Sequence, residues 1–266
     1  MFNTLILDLI GLTVSFAFLG FSSWRDIVSR EVPDRLWLFA YPLGLVLLTA
    51  RFFAQSQSSL LMVISLVSAL AVSIVLPYLG LWGGADGKAF LCLAILNPLI
   101  PSFGLHMPDI VDPFFPLVVF SNAYVASLVS LGYPIQRNLR TRRSHTLFEG
   151  LEEESLFRKI GAFLTGYRVP VDELKSRPFL FPIETVHQHG LRVTRHFRFD
   201  LRVDWDPQKA LAEVKAASDS GLIHGTIWVS PGLPFLVFLT AGLCLTLVLG
   251  DIVWYVVSSA LNLVLA

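Results

Sequence analysis

The chain has 266 residues, of which 54% are hydrophobic and only 15% charged, and its mean hydropathy is +0.65. This composition excludes an ordinary soluble globular protein, and twenty basic residues balanced by twenty acidic ones give no indication of a nucleic-acid partner. The two cysteines, Cys92 and Cys244, both lie in apolar segments, which excludes a four-cysteine zinc site and argues against a disulfide framework.

Six segments have the character of membrane helices, since about 20 apolar residues span a bilayer as a helix. The first of them has no basic region before it and no small-residue cleavage site, so we expect a membrane helix rather than a removed signal peptide. The fourth is short, and the sixth is longer than a span requires. The six segments are residues 2–21, 36–53, 60–81, 89–105, 114–135 and 233–264.

The basic residues predict how these helices are oriented. Arg25, Arg30 and Arg35 lie between the first two helices, Lys88 follows the third, and fifteen further cations follow the fifth. The opposite side has Arg51 alone, so the asymmetry is nineteen to one, or four to one when only short loops are counted. We therefore expect the N-terminus outside the cell and the polar insert in the cytosol.

The polar insert, residues 136–229, has the pattern of a small α/β domain. Residues 149–159 have the charge order of a helix, and residues 207–217 predict a second helix. Residues 191–205 alternate between apolar and polar side chains except at Arg195, which predicts a strand or hairpin with one buried face, and residues 223–229 predict another strand. The fold class is thus an all-α polytopic membrane protein with a cytosolic α/β insertion between helices five and six.

An acid stands between two membrane-length apolar runs, in Gly83-Gly84-Ala85-Asp86-Gly87-Lys88. An acid in that position is costly and indicates a function, and the glycines allow other groups to approach it closely. Asp26 follows the predicted first helix at the same, cytosolic face of the membrane. The topology thus predicts that Asp26 and Asp86 lie at equal depth and close together.

Two neighbouring carboxylates share a proton, because both cannot ionise easily. The ionised carboxylate can take a proton from water while the protonated one donates to a scissile carbonyl. Such a pair hydrolyses an amide without a metal or a covalent intermediate. A low dielectric strengthens the coupling between the two groups and raises the second pKa.

Each of these residues also has a purely structural interpretation. Asp86 could cap the fourth helix as its N-cap or first-turn acid, and Asp26 could pair with Arg25 or Arg30. Asp34 is expected to cap the second helix, and Lys88 could tune the carboxylate pair or mark the membrane interface. Asp8 and Asp251 are weaker catalytic candidates, and His187 and His189 lack the neighbours that a metal site needs.

The two acidic motifs resemble those of the GxGD intramembrane aspartyl proteases, most closely the archaeal preflagellin peptidases and their bacterial type IV prepilin peptidase relatives. Asp26 matches the first catalytic aspartate of that family, and Val32-Pro33-Asp34 stands where the family has a hydrophobic-Pro-Asn stretch. Gly83-Gly84-Ala85-Asp86 matches the second motif, except that Ala85 replaces the second glycine of that motif. The stretches 164–170 and 228–235 of the chain are also similar to the family.

The resemblance implies an aspartyl endopeptidase of the cell membrane that removes the short basic leader of archaellin or type IV pilin precursors at the cytosolic face. Asp26 and Asp86 would be catalytic, with Gly83, Gly84, Ala85, Gly87 and Lys88 close to the substrate or supporting the acids. The expected partners are these precursors and the lipid bilayer, and no metal or other cofactor is expected. The domains would be a catalytic membrane domain 1–135, the cytosolic domain 136–229 and a last membrane helix 230–266.

Two other classes of protein remain open at this point. A secondary transporter could use Asp8, Asp26, Asp86 and Asp251 as ion sites, although no two halves of the chain look alike. Alternatively, the chain could be a membrane anchor whose insert binds a partner.

Overall fold

A computed structural model describes residues 2–54, 56–101, 113–141, 147–176, 179–189, 192–198, 207–221 and 225–265. The chain divides into two compact units, the membrane unit (Met1–Ser127 with Pro234–Ala266) and the insert unit (Leu128–Leu233). The helices are α1 (Phe2–Ser29), α2 (Arg35–Ala54), α3 (Ser59–Tyr78), α4 (Gly84–Leu96), α5 (Phe115–Ser127), α6 (Gly132–Thr141), α7 (Leu156–Thr165), α8 (Pro207–Asp219), α9 (Phe235–Leu249) and α10 (Ile252–Leu265). The strands are β1 (Tyr167–Pro170), β2 (Leu180–Pro182), β3 (Glu184–His189), β4 (Arg192–Phe197) and β5 (Thr226–Pro231).

Four stretches of helix within the described residues are long and apolar enough to cross a membrane, namely 4–29, 35–54, 59–78 and 115–141. The pair α9 and α10 makes a fifth if it counts as one span bent by 55°. Many large apolar side chains on α1, α2 and α3 are exposed, as expected for surfaces that contact lipid. These features are those of an integral membrane protein, whereas the predicted six spans and their orientation stay predictions.

Helix α4 lies at the centre of the membrane unit and contacts α1, α2, α3, α5 and α9. It is apolar on all sides, and Phe90, Leu93 and Leu96 are completely buried, which is typical of a helix enclosed by others. Its 13 residues extend about 20 Å, less than the roughly 30 Å of a hydrocarbon core. The predicted fourth span, 89–105, is too long as a helix, because α4 ends at Leu96 and residues 97–101 are not helical, while residues 102–105 lie outside the described part of the chain.

Asn122 on α5 holds the break between α9 and α10. Its side-chain amide donates to the Gly250 carbonyl at 2.7 Å and accepts from the Ile252 N–H at 3.2 Å. Gly250 has a φ of +79°, a conformation that glycine adopts at low cost. Asp251 caps α10, because its Oδ1 accepts from the Trp254 N–H at 2.9 Å. The backbone groups freed by the break therefore have partners inside the protein, as apolar surroundings require.

The insert unit contains two small antiparallel sheets. In the first, β5 lies between β1 and β2, with Tyr167 opposite Val229 and Pro182 also opposite Val229. In the second, β3 pairs with β4. The predicted helix at 207–217 is confirmed as α8, and the predicted strand at 223–229 appears as β5. The strand or hairpin predicted for 191–205 is β4, as far as the described residues 192–198 extend.

Arg195, the one break in the alternation of β4, has a structural explanation. Its guanidinium points to the same side as the apolar residues and pairs with Glu184, whose side chain is fully buried, at 2.6 Å. Glu184 also accepts a hydrogen bond from the Trp228 N–H at 3.2 Å. A buried carboxylate on β3 thus requires a cation at a position of β4 that would otherwise be apolar.

Candidate active site

Asp86 is the third residue of α4. Gly83, the residue before the helix, is extended, and its N–H donates to Asp86 Oδ2 at 2.9 Å. This contact is the carboxylate half of a capping box. The first-turn role considered from the sequence is therefore present, and it occupies one of the two oxygens of the Asp86 carboxylate.

Asp26 lies inside α1, which continues to Ser29. The prediction that the first helix ends near residue 21 and that Asp26 follows it is wrong. Residues 22–29 contain neither glycine nor proline, and the hydroxyl of Ser29 donates to the Arg25 carbonyl at 3.0 Å in the last turn. The carboxylate therefore projects from a helix rather than from a loop, which fixes its direction.

The Asp26 carboxylate has two positively polarised neighbours. The Leu236 N–H, in the first turn of α9, donates to Oδ2 at 3.4 Å, and Arg30 Nη1 lies 3.9 Å from Oδ1. Ser23 fixes the same part of α9, because its hydroxyl donates to the Leu236 carbonyl at 2.9 Å. A helix N-terminus and a guanidinium both favour the ionised carboxylate.

Arg30 itself has a φ of +56°, where a residue with a side chain is uncommon. This left-handed turn follows the end of α1 and leaves the guanidinium on the side of Asp26, one turn back. A glycine would adopt the same backbone more easily. Arginine therefore occupies a position whose backbone conformation would suit glycine better, and this favours a role of its side chain at the acid.

Asp26 and Asp86 are close enough for their charges to interact. Burial raises the pKa of Asp86 to about 6, while the Gly83 N–H lowers it, the Asp26 charge raises it and Arg30 lowers it. No hydrogen bond joins the two carboxylates among the contacts of the described residues. The charge of Asp26 thus contributes to the electrostatics of Asp86, while the equal membrane depth of the two acids stays a prediction.

The glycines around Asp86 differ in what they do. A side chain at Gly87 would meet the Ser73 carbonyl of α3 at 2.7 Å, so this glycine allows α4 to pack closely on α3. A side chain at Gly83 would come within 3.3 Å of Asp86 Oδ2, whereas one at Gly84 would meet nothing within 4 Å. Ala85 packs against the apolar core. Space beside the acid is therefore found at Gly84, while Gly87 supports the acid through packing.

Lys88 links the start of α4 to α2. Its Nζ lies 2.6 Å from Asp34 Oδ1, and its backbone carbonyl accepts from the Tyr41 hydroxyl at 2.9 Å. Asp34 immediately precedes α2, and its carbonyl accepts from the Trp37 N–H at 3.1 Å. These contacts hold the first turn of α4, and with it Asp86, against α2.

Tyr124 on α5 is a site residue that sequence reasoning missed. Its hydroxyl accepts from Trp82 Nε1 at 3.1 Å and lies within the electrostatic influence of Asp86. The rings of Trp82 and Tyr124 belong to an aromatic cluster with Phe90, Phe120 and Phe235, in which neighbouring ring centres lie 4.9–5.6 Å apart. The signal in the sequence is Trp82 directly before the glycines, but nothing there indicates its partner.

Asp8, a weaker candidate, pairs with Arg51 of α2. Both side chains are almost completely buried, and Arg51 also donates to the Leu7 carbonyl at 2.9 Å. Asp8 is thus engaged in a closed ion pair, as Asp251 is engaged in a helix cap. Among the described residues, no group of three His, Cys, Asp or Glu side chains is arranged to hold a metal ion. The side chains of His187 and His189 lie outside the described part.

Comparison with known proteins indicates the class of protein to which this arrangement of apolar helices and two carboxylates is similar. Residues 13–131 match the family model of the type IV leader peptidase family, and residues 158–252 match that of the archaeal peptidase A24 C-terminus, type II. The resemblance found in the motifs is confirmed: one part of the chain is similar to type IV leader peptidases, and a later part is similar to the C-terminal region of archaeal A24 peptidases. Asp26 and Asp86 lie in the first match, and Asp8 lies before it.

Two named relatives support the same family. A preflagellin peptidase of Methanococcus voltae is 25% identical over 246 residues, which cover 86% of this chain and 91% of that protein. The prepilin peptidase EppA of Methanothermobacter thermautotrophicus is 26% identical over 156 residues, which cover 56% of this chain and 40% of that protein. The comparisons support a leader peptidase and hence a protease.

Proposed function

We propose that the chain is a membrane-embedded aspartyl endopeptidase that removes the short basic leader of preflagellin or type IV prepilin-like precursors at the cytosolic membrane face. The observation that carries the proposal is the match of residues 13–131, which include Asp26 and Asp86, to the type IV leader peptidase family. The names of the two relatives support the class of substrate.

The surroundings of the two acids suggest different roles for them. Asp26 is partly buried, which disfavours its charge, but Arg30 and the first turn of α9 favour its ionised form. Asp86 is buried, and burial raises its pKa to about 6, which favours a retained proton. We therefore assign Asp26 as the general base and Asp86 as the general acid.

The reaction then follows in two proton-balanced steps. Asp26 takes a proton from water as the water oxygen attacks the scissile carbonyl carbon, and Asp86 donates its proton to the carbonyl oxygen. In the tetrahedral intermediate, the proton on Asp26 passes to the leaving nitrogen, the C–N bond breaks, and the hydroxyl proton returns to Asp86. In this mechanism the water and the peptide carbonyl bind between the two carboxylates.

A transporter is less well supported by the same contacts. Of the four acids that a transporter would use, Asp8 forms a buried ion pair with Arg51, and Asp251 caps α10. Only Asp26 and Asp86 keep capacity for a further ligand. The lack of two similar halves in the sequence also argues against a transporter.

The test is cleavage of a precursor with a basic leader and an apolar helix by the full chain in membranes. Asp26→Asn and Asp86→Asn each remove a charge with little change of shape, and we expect each to lower the cleavage rate by at least about 100-fold. Asp251→Asn is the matched control, since asparagine also caps helices well, and it should cleave as the natural chain does. Full cleavage by either of the first two variants would refute the aspartyl mechanism.

A further inference from the structure

The insert unit contains a cavity of about 670 Å³ that the leader-peptidase proposal does not use. Three arginines line it, each from a different element: Arg137 from α6, Arg168 from β1 and Arg195 from β4. Among the described residues of the lining, Glu149 is the one that is acidic, so these residues together have a surplus of two positive charges. The volume lies within the range of cavities that bind small molecules.

Arg137 is held in place by contacts that leave its charge uncompensated. Its guanidinium lies over the Tyr167 ring at 4.4 Å, and it donates to the Arg168 carbonyl at 3.3 Å and to the Tyr133 hydroxyl at 3.2 Å. Within the described part of the chain, no carboxylate forms an ion pair with it. Stacking and neutral acceptors therefore orient the planar group without neutralising it.

Arg195, which also lines the cavity, is held by its own hydrogen bonds. Glu184 and the Thr226 carbonyl accept its hydrogen bonds at 2.6 Å and 2.9 Å. Gly150, with a φ of +79°, leaves room for Arg195 Nη1, which would lie 3.3 Å from a side chain at that position. Even when Glu184 is counted, three cations face two carboxylates.

Arg168 is half-buried and lines the same cavity. Burial lowers the pKa of its guanidinium and the neighbouring charge of Arg195 lowers it further, while Glu184 and Glu149 raise it. The cations are therefore crowded in a partly desolvated space, where an anion of the right shape would lower the electrostatic energy. A cationic leader peptide would raise it, so the cavity does not suit the leader.

We propose that the cavity lined by Arg137, Arg168 and Arg195 binds a phosphate-bearing anion. Guanidinium groups present paired N–H donors that match phosphate oxygens, and a phosphomonoester brings about two negative charges near neutral pH. The phosphate can belong to a free anion or to a lipid headgroup, and the chemistry at the cavity is the same. The site is separate from Asp26 and Asp86, which belong to the membrane unit.

The experiment uses the full chain purified in a neutral detergent, with two probes at constant ionic strength: inorganic pyrophosphate and short-chain phosphatidic acid. Binding is measured as a shift of the thermal unfolding midpoint with probe concentration. We expect Arg137→Gln to weaken binding at least ten-fold. The matched control is Arg140→Gln, which removes an exposed arginine of the same helix that does not line the cavity, and it should bind within two-fold of the natural chain.

The two probes separate the sources of the phosphate. Binding of both would support a free phosphate-bearing anion, and binding of phosphatidic acid alone would support a lipid headgroup. Binding of neither probe, or equal binding by Arg137→Gln and the natural chain, would overturn the proposal. If Arg137→Gln does not fold, Arg137→Lys tests the same point, because lysine keeps the charge but loses the planar fork, and binding should still fall several-fold.

Discussion

Asp8 and Asp26 are carboxylates on the same helix, α1, but their surroundings differ. They lie 18 residues apart, about 27 Å along a helix. Asp8 forms a closed ion pair with Arg51, and each side chain is less than 5% exposed. Asp26 is 14% exposed, and its salt-bridge partner Arg30 is no nearer than 3.9 Å. The difference separates an acid engaged in a buried ion pair from an acid without a close counter-charge, which is the property that the proposed catalytic role of Asp26 requires.

The closed pair also bears on the predicted orientation. Arg51 is the one cation that opposed the positive-inside pattern of the short loops. Because Asp8 neutralises it inside the helix bundle, it contributes no free positive charge to the predicted outer side. The remaining cations of the short loops all favour a cytosolic location for the ends of α1 and α3, which supports the predicted orientation.

Breaking the closed pair should give the largest change in stability. Asp8→Asn leaves Arg51 buried without its counter-charge, and we expect a loss of about 3–5 kcal/mol in the free energy of unfolding. Chemical unfolding in detergent measures it. Replacing both partners by leucine should restore much of the loss, since no uncompensated charge then remains.

The control is the same substitution at Asp26, the acid of α1 that has no close counter-charge. Asp26→Asn should change stability far less than Asp8→Asn does, while the folded fraction of Asp8→Asn should cleave precursor at a rate within two-fold of the natural chain. Equal destabilisation by the two variants would remove the distinction between them.

The pH dependence of cleavage tests the proposed roles of Asp26 and Asp86. With a pKa of about 6, Asp86 keeps its proton below that pH and loses it above. If Asp86 is the acid, the rate should fall about ten-fold per pH unit above the pKa. A rate that rises between pH 6 and 8 would reverse the roles of the two aspartates.

Arg30→Gln provides a second test of the pH dependence of cleavage. Arg30 lowers the pKa of Asp86, so its removal should raise that pKa and move the fall in rate to higher pH. A fall at an unchanged pH would mean that Arg30 does not act on the acid.

Tyr124→Phe should have a smaller effect. The change removes the hydroxyl that accepts from Trp82 and leaves the ring in the aromatic cluster. The loss of one hydrogen bond costs about 1 kcal/mol, so we expect about a five-fold lower kcat with little change in KM. Tyr255→Phe, on the exposed surface of α10, is the matched control and should leave both constants unchanged.

The sequence predicted the parts of this site that depend on local pattern. Glycines before an apolar run marked the start of α4 and Asp86 within its first turn, and the period-two alternation marked β4. The partners across the fold were not predictable, because they come from helices distant in sequence. Leu236 donates to Asp26, the Tyr124 hydroxyl accepts from Trp82, and the Tyr41 hydroxyl donates to the Lys88 carbonyl. The end of α1 was misplaced because apolarity ends near residue 21, whereas helix geometry ends only at the left-handed turn of Arg30.

Breaking the ion pair between Lys88 and Asp34 should have the smallest effect on the cleavage rate. Its side chains are 46% and 80% exposed, respectively, although their atoms lie 2.6 Å apart, and exposed ion pairs contribute about 0–1 kcal/mol. Lys88→Gln and Asp34→Asn should each lower the cleavage rate no more than about five-fold. The double variant should resemble either single one, because both remove the same contact between α2 and α4. Additive losses would mean that Lys88 acts on Asp86 or the substrate directly, which would move it from a support of α4 into the active site itself.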